Sequence, residues 1–356
     1  MSESISNRDY AIRRTLLTGV STMALMGYVL SAGMARADDA SHPIIWVELD
    51  GQYSQLKDDA SAFAPPFMTA SPFDGISHLD LEKGPAISWD SGAKITFQPE
   101  GSDWYFMLAA RYGKSSKNGV RDEHPPTTGL TKYSNNYYNA YQNFVAQRTE
   151  SHTILDFQAG KDFGLGMLAS GGSSVFGAGI RVAQFNSRSL VAIKSQPANI
   201  YGYAIHDKFH ADFAAKRKFS GVGPSLSWDA SAKLFGNPEG GRITFDGGAN
   251  GAVLFGRQQA AGRHQQTESA YGDVYGQFEH NNIYQHYTLL ARRKNVVVPN
   301  LGGFAGVSWR YPNAKVSLGY RADFFFGAMD GGIDSAHREN VGFYGPFASV
   351  SVGIGG

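Results

Sequence analysis

The sequence predicts an all-β fold: a transmembrane antiparallel up-and-down β-barrel of about ten strands, twelve being possible, with long outer loops and short periplasmic turns. Three observations predict it. The first is the stretch from Val296 to Phe326, where two alternating runs flank the short turn Pro312-Asn313. In the second run Val316, Leu318, Tyr320, Ala322, Phe324 and Phe326 share one face, while Ser317, Gly319, Arg321, Asp323 and Phe325 share the other. In the first run Leu301, Gly303, Ala305, Val307, Trp309 and Tyr311 oppose Asn300, Gly302, Gly306, Ser308 and Arg310. Period two belongs to a β-strand. An apolar face that ends in aromatics beside a turn suits lipid outside and a lumen inside.

The second observation is composition. Among 356 residues there are 43 glycines, 13% aromatics and only 18% charged residues, which favours many strands with close backbone contacts. Beyond the first residues no apolar run reaches the roughly 20 residues a membrane helix needs. The third observation is the order of the connections. Short turns are predicted at 98–102, 167–173, 236–241 and 311–314, with long polar segments strictly between them. A ten-stranded barrel with both termini in the periplasm requires that alternation of four short turns and five long loops.

Residues 1–37 read as a cleavable signal peptide. Arg8, Arg13 and Arg14 precede a mostly apolar stretch from Thr15 to Ala32, and Ala35-Arg36-Ala37 forms an A-x-A site before Asp38. A retained membrane anchor is the alternative, weakened by Gly19, Ser21, Thr22 and Gly27 within the stretch. Arg13-Arg14 faintly resembles a twin-arginine signal, but a membrane barrel must leave the cytoplasm unfolded, so the general secretory route is expected. Residues 38–356 then form a single outer-membrane barrel domain with 28 basic and 29 acidic side chains. That near balance gives no reason to expect nucleic acid as a partner. Without any cysteine, there is no disulfide, thiolate metal site or cysteine nucleophile.

The strands follow in order. Ile44–Tyr53 alternates Ile45, Val47, Leu49 and Tyr53 with Trp46, Glu48, Asp50 and Gln52. Ser54–Lys83, with Pro65-Pro66 and Pro72, reads as a loop. Gly84–Phe97 is the second strand, and Trp104, Phe106, Leu108, Ala110 and Tyr112 mark the third. Ser115–Glu150, with its tyrosine-rich tract from Tyr133 to Tyr141, reads as a surface loop able to contact a partner or cover the mouth. Alternation resumes at Leu155, Phe157 and Ala159, then at Phe176, Ala178, Ile180 and Val182. Ser195–Arg217 reads as a loop. Val222–Ala230 and Ile243–Phe255 flank the turn at Gly236–Gly240, and Pro224 counts against a central strand because it cannot donate to a ladder. Gln258–Asn295 is weakly patterned, with room for an extra strand pair near Tyr271–Phe278. After the Val296–Phe326 hairpin come a loop at Asp330–Asn340 and a last strand, Val341–Ile354.

All five tryptophans fall on predicted strands. Phe97, Trp104, Phe235, Trp309 and Tyr311 lie beside the predicted short turns, as a periplasmic aromatic girdle would. In hydrocarbon every backbone N–H and C=O needs an internal partner, so a strand-based membrane protein must close. A secreted β-sandwich or a lipocalin-like barrel is the soluble alternative.

At His152–Gly166 (HTILDFQAGKDFGLG) and Gly179–Phe185 (GIRVAQF) the chain resembles the pore-forming outer membrane proteins similar to the Legionella major outer membrane protein. Lys315–Phe326 (KVSLGYRADFFF) and Tyr344–Phe347 (YGPF) are similar to that family too. The resemblance implies a channel in a bacterial outer membrane and supplies no catalytic residues. The ending Gly353-Ile354-Gly355-Gly356 departs from outer-membrane barrels generally in lacking a terminal aromatic residue.

The predicted lumen faces carry Lys94, Arg111, Asp156, Asp162, Arg181, Asp229, Asp246, Arg310, Arg321 and Asp323. An ionised side chain facing hydrocarbon costs roughly 2 to 4 kcal/mol at the midplane, which favours placing these inside. They either line an aqueous path and tune its selectivity or pair and plug the barrel. Two basic runs, Lys216-Arg217-Lys218 and Arg292-Arg293-Lys294, are expected near the outer rim, where they would meet lipopolysaccharide phosphates or simply be solvated. His206 and His210 have the i, i+4 spacing of a helical metal pair, a weak signal, and no metal or other cofactor is expected. Gly160–Gly166 lacks the lysine-plus-hydroxyl ending of a phosphate loop, and its glycines read as room inside a barrel.

The expected function is a porin-like passive channel for small polar solutes or ions. The alternatives are a closed structural or adhesive barrel with binding loops, and, further off, a barrel enzyme using histidines such as His152, His206, His210, His264, His280 and His286. No serine or histidine motif has catalytic spacing, so a non-enzyme is expected. Partners would be outer-membrane lipid and lipopolysaccharide, the barrel-insertion machinery during biogenesis, and the solutes or ions themselves.

Overall fold

The structure, a computed structural model, describes residues 45–58, 86–100, 102–115, 118–123, 141–163, 173–195, 208–237, 240–270, 273–274, 277–278, 282–331 and 338–355. The leader at 1–37, the tyrosine tract before Tyr141, His206 and Gly164–Gly166 lie outside those residues. The strands are β1 (Ile45–Asp58), β2 (Ala86–Phe97), β3 (Trp104–Ser115), β4 (Asn118–Glu123), β5 (Tyr141–Asp162), β6 (Ser174–Ser195) and β7 (Lys208–Asn237). They continue with β8 (Gly241–Ala270), β9 (Asp273–Val274), β10 (Gln277–Phe278), β11 (Asn282–Tyr311), β12 (Ala314–Asp330) and β13 (Arg338–Ile354).

Pairing runs β3-β2-β1-β13-β12-β11-β8-β7-β6-β5, and β5 returns to β3 through Trp104↔Lys161 to Lys114↔Ser151. The sheet is therefore a closed, antiparallel up-and-down barrel of ten strands. β4 extends the β3 position by pairing higher on β5. The predicted extra strand pair exists as β9–β10, a separate two-stranded sheet rather than two more staves, so the count is ten and not twelve.

Alternation decides which face meets what. On β12, Val316, Leu318, Tyr320, Phe324 and Phe326 are exposed, whereas Ser317, Asp323 and Phe325 are buried. The same inversion holds around the ring: large apolar side chains such as Leu108, Phe157, Ile180, Leu226, Phe255 and Leu301 are exposed, and polar ones such as Ser225, Asp246 and Ser308 are buried. An exposed apolar belt of this extent has only one favourable solvent, the hydrocarbon of a bilayer. Phe97, Trp104, Phe235, Trp309 and Tyr311 are all exposed beside the connections at 98–103, 238–240 and 312–313. Trp309 and Tyr311 meet edge to face at 5.5 Å.

Three of the long segments expected between strands carry strand in their described residues. Tyr141–Glu150 belongs to β5, Lys208–Arg217 to β7, and Gln258–Ala270 and Asn282–Asn295 to β8 and β11. β7, β8 and β11 have 30 residues each. At about 3.3 Å per residue and a tilt near 40° such strands rise roughly 75 Å, far beyond an apolar band about 25 Å tall. One side of the barrel thus stands as a tall wall past the membrane, where the outer face no longer meets hydrocarbon and the sequence loses its hydrophobic alternation. Pro224 sits within β7 and pairs with Ile180 of β6, while the β7–β8 register passes from Val222 to Ser225 without it. The missing N–H is confined to that gap.

Candidate functional site in the barrel interior

The inward faces stack into four levels. Nearest the short turns, Lys94 lies 3.1 Å from Glu48, and Asp246 gathers Lys315 at 2.8 Å and Arg310 at 3.0 Å while accepting hydrogen bonds from Ser308 and Thr244. The sequence reading missed Lys315 as an interior residue, although it precedes Val316 in strict alternation.

The next level holds the longest reaches across the barrel. Arg111 on β3 meets Asp323 on β12 at 2.8 Å, with β2, β1 and β13 between them in the wall, as an ion pair without a well-aligned hydrogen bond. Arg321 donates to Asp50 at 2.7 Å and lies over the Phe347 ring at 4.6 Å. Arg181 forks onto Asp156 through Nε at 2.7 Å and Nη2 at 3.0 Å, and its Nη1 donates to Asn250 and Asn300. One guanidinium thereby joins β5, β6, β8 and β11. Interior glycines make room for these groups: a Cβ on Gly302 would stand 2.1 Å from an Asp323 oxygen, and one on Gly160 2.3 Å from the Tyr105 ring. The reading of Gly160 as space inside the barrel matches this packing.

Above the charges comes an apolar level. Phe185, Phe219, Phe325 and Phe343 converge from β6, β7, β12 and β13, with Ile154, Leu254, Val298 and Met329 around them, all buried. Phe185 lies 4.7 Å from Phe325 edge to face, and 5.7 Å from both Phe219 and Phe343. Sequence reasoning placed Phe325 on the inner face but missed the cluster, which only ring closure assembles.

The outermost level is polar again. His152, expected near an outer loop, is 1% exposed inside the wall, tilted against the Phe343 ring at 3.8 Å between centroids, with Nε2 3.4 Å from Asp90. Asp90 accepts hydrogen bonds from Ser54 at 2.6 Å and Ser88 at 2.8 Å. Arg217 donates to Glu339 at 2.5 Å and to Ser187 at 3.1 Å, and Arg292 pairs with Asp330 at 3.0 Å.

All ten residues expected to face the lumen are on the inward side, eight of them in the contacts above or beside them; Asp162 accepts a hydrogen bond from the Ser174 N–H at 3.2 Å, and Asp229 is half-buried on β7. The basic runs need correction. Arg217 and Arg292 point into the barrel, Lys216, Lys218 and Arg293 point outward, and Lys294 shares the inward parity of Val296 yet is exposed. Both runs also lie within β7 and β11 rather than at loop ends, because alternation sends adjacent residues to opposite faces. His210 is likewise in strand β7, where an i, i+4 helical pair cannot form.

No protein-family model matches this chain, and no curated protein does. Among solved structures it is similar to the P. putida toluene transporter TodX, at 10% identity over 90% of this chain and 91% of that one, with a TM-score of 0.23. The outer-membrane expressed OmpT of Vibrio cholerae follows at 10% identity, 89% and 99% coverage and a TM-score of 0.13. At such values the barrel assignment rests on this chain's own strand pairing.

Proposed function

We propose that this protein is a pore-forming protein of a bacterial outer membrane, exported by its N-terminal signal peptide and passing small polar solutes or ions. The observation that carries the reading is the set of ionised and hydroxyl side chains that fill the interior on either side of the aromatic level, inside a wall whose outside is apolar. Buried ion pairs are weak stabilisers compared with well-packed apolar residues, so a barrel serving only as an anchor has little need of them. A path for hydrated solutes does need them. The resemblance to the pore-forming family similar to the Legionella major outer membrane protein points the same way. The reading is non-enzymatic: His152 is walled in by Phe343 and Asp90, away from solvent.

A second reading, a closed barrel acting through its loops, is favoured by the pairing of interior charges with one another, as Arg111 with Asp323, and by the aromatic level at Phe185, Phe219, Phe325 and Phe343. An apolar constriction resists wetting and stops ions. The two readings meet in a single experiment, conductance of the refolded protein in a planar bilayer after its gel mobility is shown to shift on boiling. A pore gives discrete steps, enlarged by Phe343→Ala and changed in ion selectivity by Arg321→Ala. A heat-modifiable barrel that gives no steps, as wild type and as Phe343→Ala, would sink the pore and leave the closed barrel.

A further inference from the structure

The outer face of the tall wall carries a patch that the lumen does not use. Strand registers align outward residues into rows across β6, β7, β8 and β11. The apolar row at the edge of the belt is Val182, Val222, Phe255 and Val297, paired one to the next. The rows beyond it change character at once. In succession they read Gln184-Ser220-Arg257-Asn295, Asn186-Lys218-Gln259-Arg293, Arg188-Lys216-Ala261-Ala291 and Leu190-Ala214-Arg263. These fifteen positions hold six basic residues and no acidic one.

Arg188, Lys216, Arg257, Arg263 and Arg293 are exposed and Lys218 half-exposed. Among the described residues none of the six has a carboxylate partner; Arg257 makes one long hydrogen bond, to Asn295 at 3.5 Å. Arg188 stands directly opposite Lys216. Like charges paired across strands are destabilising, and an anion between them would relieve that repulsion. Lys218 and Arg293 flank Gln259 on either side, with Arg257 two residues along from it. Row spacing of about 7 Å and strand spacing of about 4.8 Å bring these cations within reach of one phosphorylated group.

We propose that this patch binds the phosphorylated saccharide headgroup of an outer-leaflet lipid, lipopolysaccharide in chemical class, with the acyl chains lying on the apolar row beneath. The height selects the ligand. Cations immediately above a lipid-facing belt lie at headgroup level, where the negative charge of a membrane resides, and the belt below completes the site for an amphiphile. The proposal rests on the outer-membrane placement but not on conduction, so its test is independent of the pore.

The full chain, refolded in detergent and checked for heat-dependent gel mobility, is titrated with diphosphoryl lipid A, dephosphorylated lipid A and inorganic phosphate, and bound lipid is counted by native mass spectrometry. Diphosphoryl lipid A is retained and the dephosphorylated form is not. Replacing Arg188, Lys216, Lys218 and Arg293 together by Gln weakens retention more than about tenfold, since each cation near an anionic lipid surface contributes about fivefold. Lys233→Gln, exposed on β7 near the short turn at the opposite rim, leaves it unchanged. Should the fourfold variant not fold, Lys216→Gln with Lys218→Gln is the substitute, again with weakened retention expected. Equal retention of the phosphate-free lipid, wild-type affinity in the variants, or displacement of the lipid by equimolar inorganic phosphate would each overturn the proposal.

Discussion

Arg111 and Asp323 reach each other across the lumen from strands separated by three others, so their 2.8 Å contact braces the barrel from inside. Removing one partner leaves the other buried and uncompensated, which costs about 3 to 5 kcal/mol, whereas replacing both with apolar residues of similar volume is close to neutral. Arg111→Ala is therefore expected to lower the urea midpoint of the barrel refolded in lipid vesicles, and Arg111→Met with Asp323→Leu to restore most of it. Equal losses in the single and double variants would show that the pair does not act as a unit. Gly302 tests the same contact from the backbone side. Its absent side chain leaves the space that an Asp323 oxygen occupies, at 2.1 Å from where a Cβ would be. Gly302→Val should displace the carboxylate and destabilise the barrel in the wild-type background, with a much smaller effect once Asp323 is Ala, which removes the oxygen that a Cβ would meet.

At the scale of a strand, alternation works as a ruler for the membrane. Leu226, Gly251 and Leu301 form one row, and Leu226 and Leu301 are among the most exposed apolar side chains. One further outward position along β11, Pro299, separates that row from Val297, at the edge of the belt. Arg at the midplane costs about 2 to 4 kcal/mol and at the interface about 0 to 1. Leu301→Arg is therefore expected to lower the vesicle unfolding free energy by the larger amount and Val297→Arg by the smaller, and equal costs would mean the belt has been placed at the wrong height. The same physics explains what could be read from the sequence. Where one face meets lipid and the other the lumen, as from Val316 to Phe326, faces and inward charges are legible residue by residue. Above the belt the outer face no longer meets hydrocarbon, so Lys208–Arg217 loses its alternation and reads as a loop, and Asn282–Asn295 reads as weakly patterned. Within Lys216-Arg217-Lys218 composition is uniform, and only the strand's parity reveals that Arg217 turns inward to Glu339 while its neighbours turn out. Partners across the lumen, such as Arg181 with Asn300, were not legible, because they depend on closing the ring.

Over the whole molecule, an even number of strands puts both ends of the barrel chain, Ile45 and Ile354, at one rim; they are also register partners. That rim carries the two-residue turn at Pro312-Asn313 and the aromatic girdle, and the opposite rim carries the tall wall of β7, β8 and β11. Short turns face the periplasm and long connections face outward in outer-membrane barrels, which is the orientation that both the proposed pore and the proposed lipid patch assume. The absence of cysteine from the chain makes this directly measurable, since any introduced thiol is the only one. Gln265 is exposed high on β8 and Asn313 is exposed in the turn. In intact cells a membrane-impermeant maleimide is expected to label Gln265→Cys, and to label Asn313→Cys only after the outer membrane is permeabilised. Leu226→Cys, in the middle of the lipid-facing belt, should resist the reagent in both conditions and react once the protein is boiled in detergent. Labelling of Asn313→Cys from outside with protection of Gln265→Cys would invert the barrel and move the basic patch to the periplasmic leaflet. Free labelling of Leu226→Cys in the native membrane would instead mean that the apolar belt faces water, and that the closed sheet is not a membrane wall.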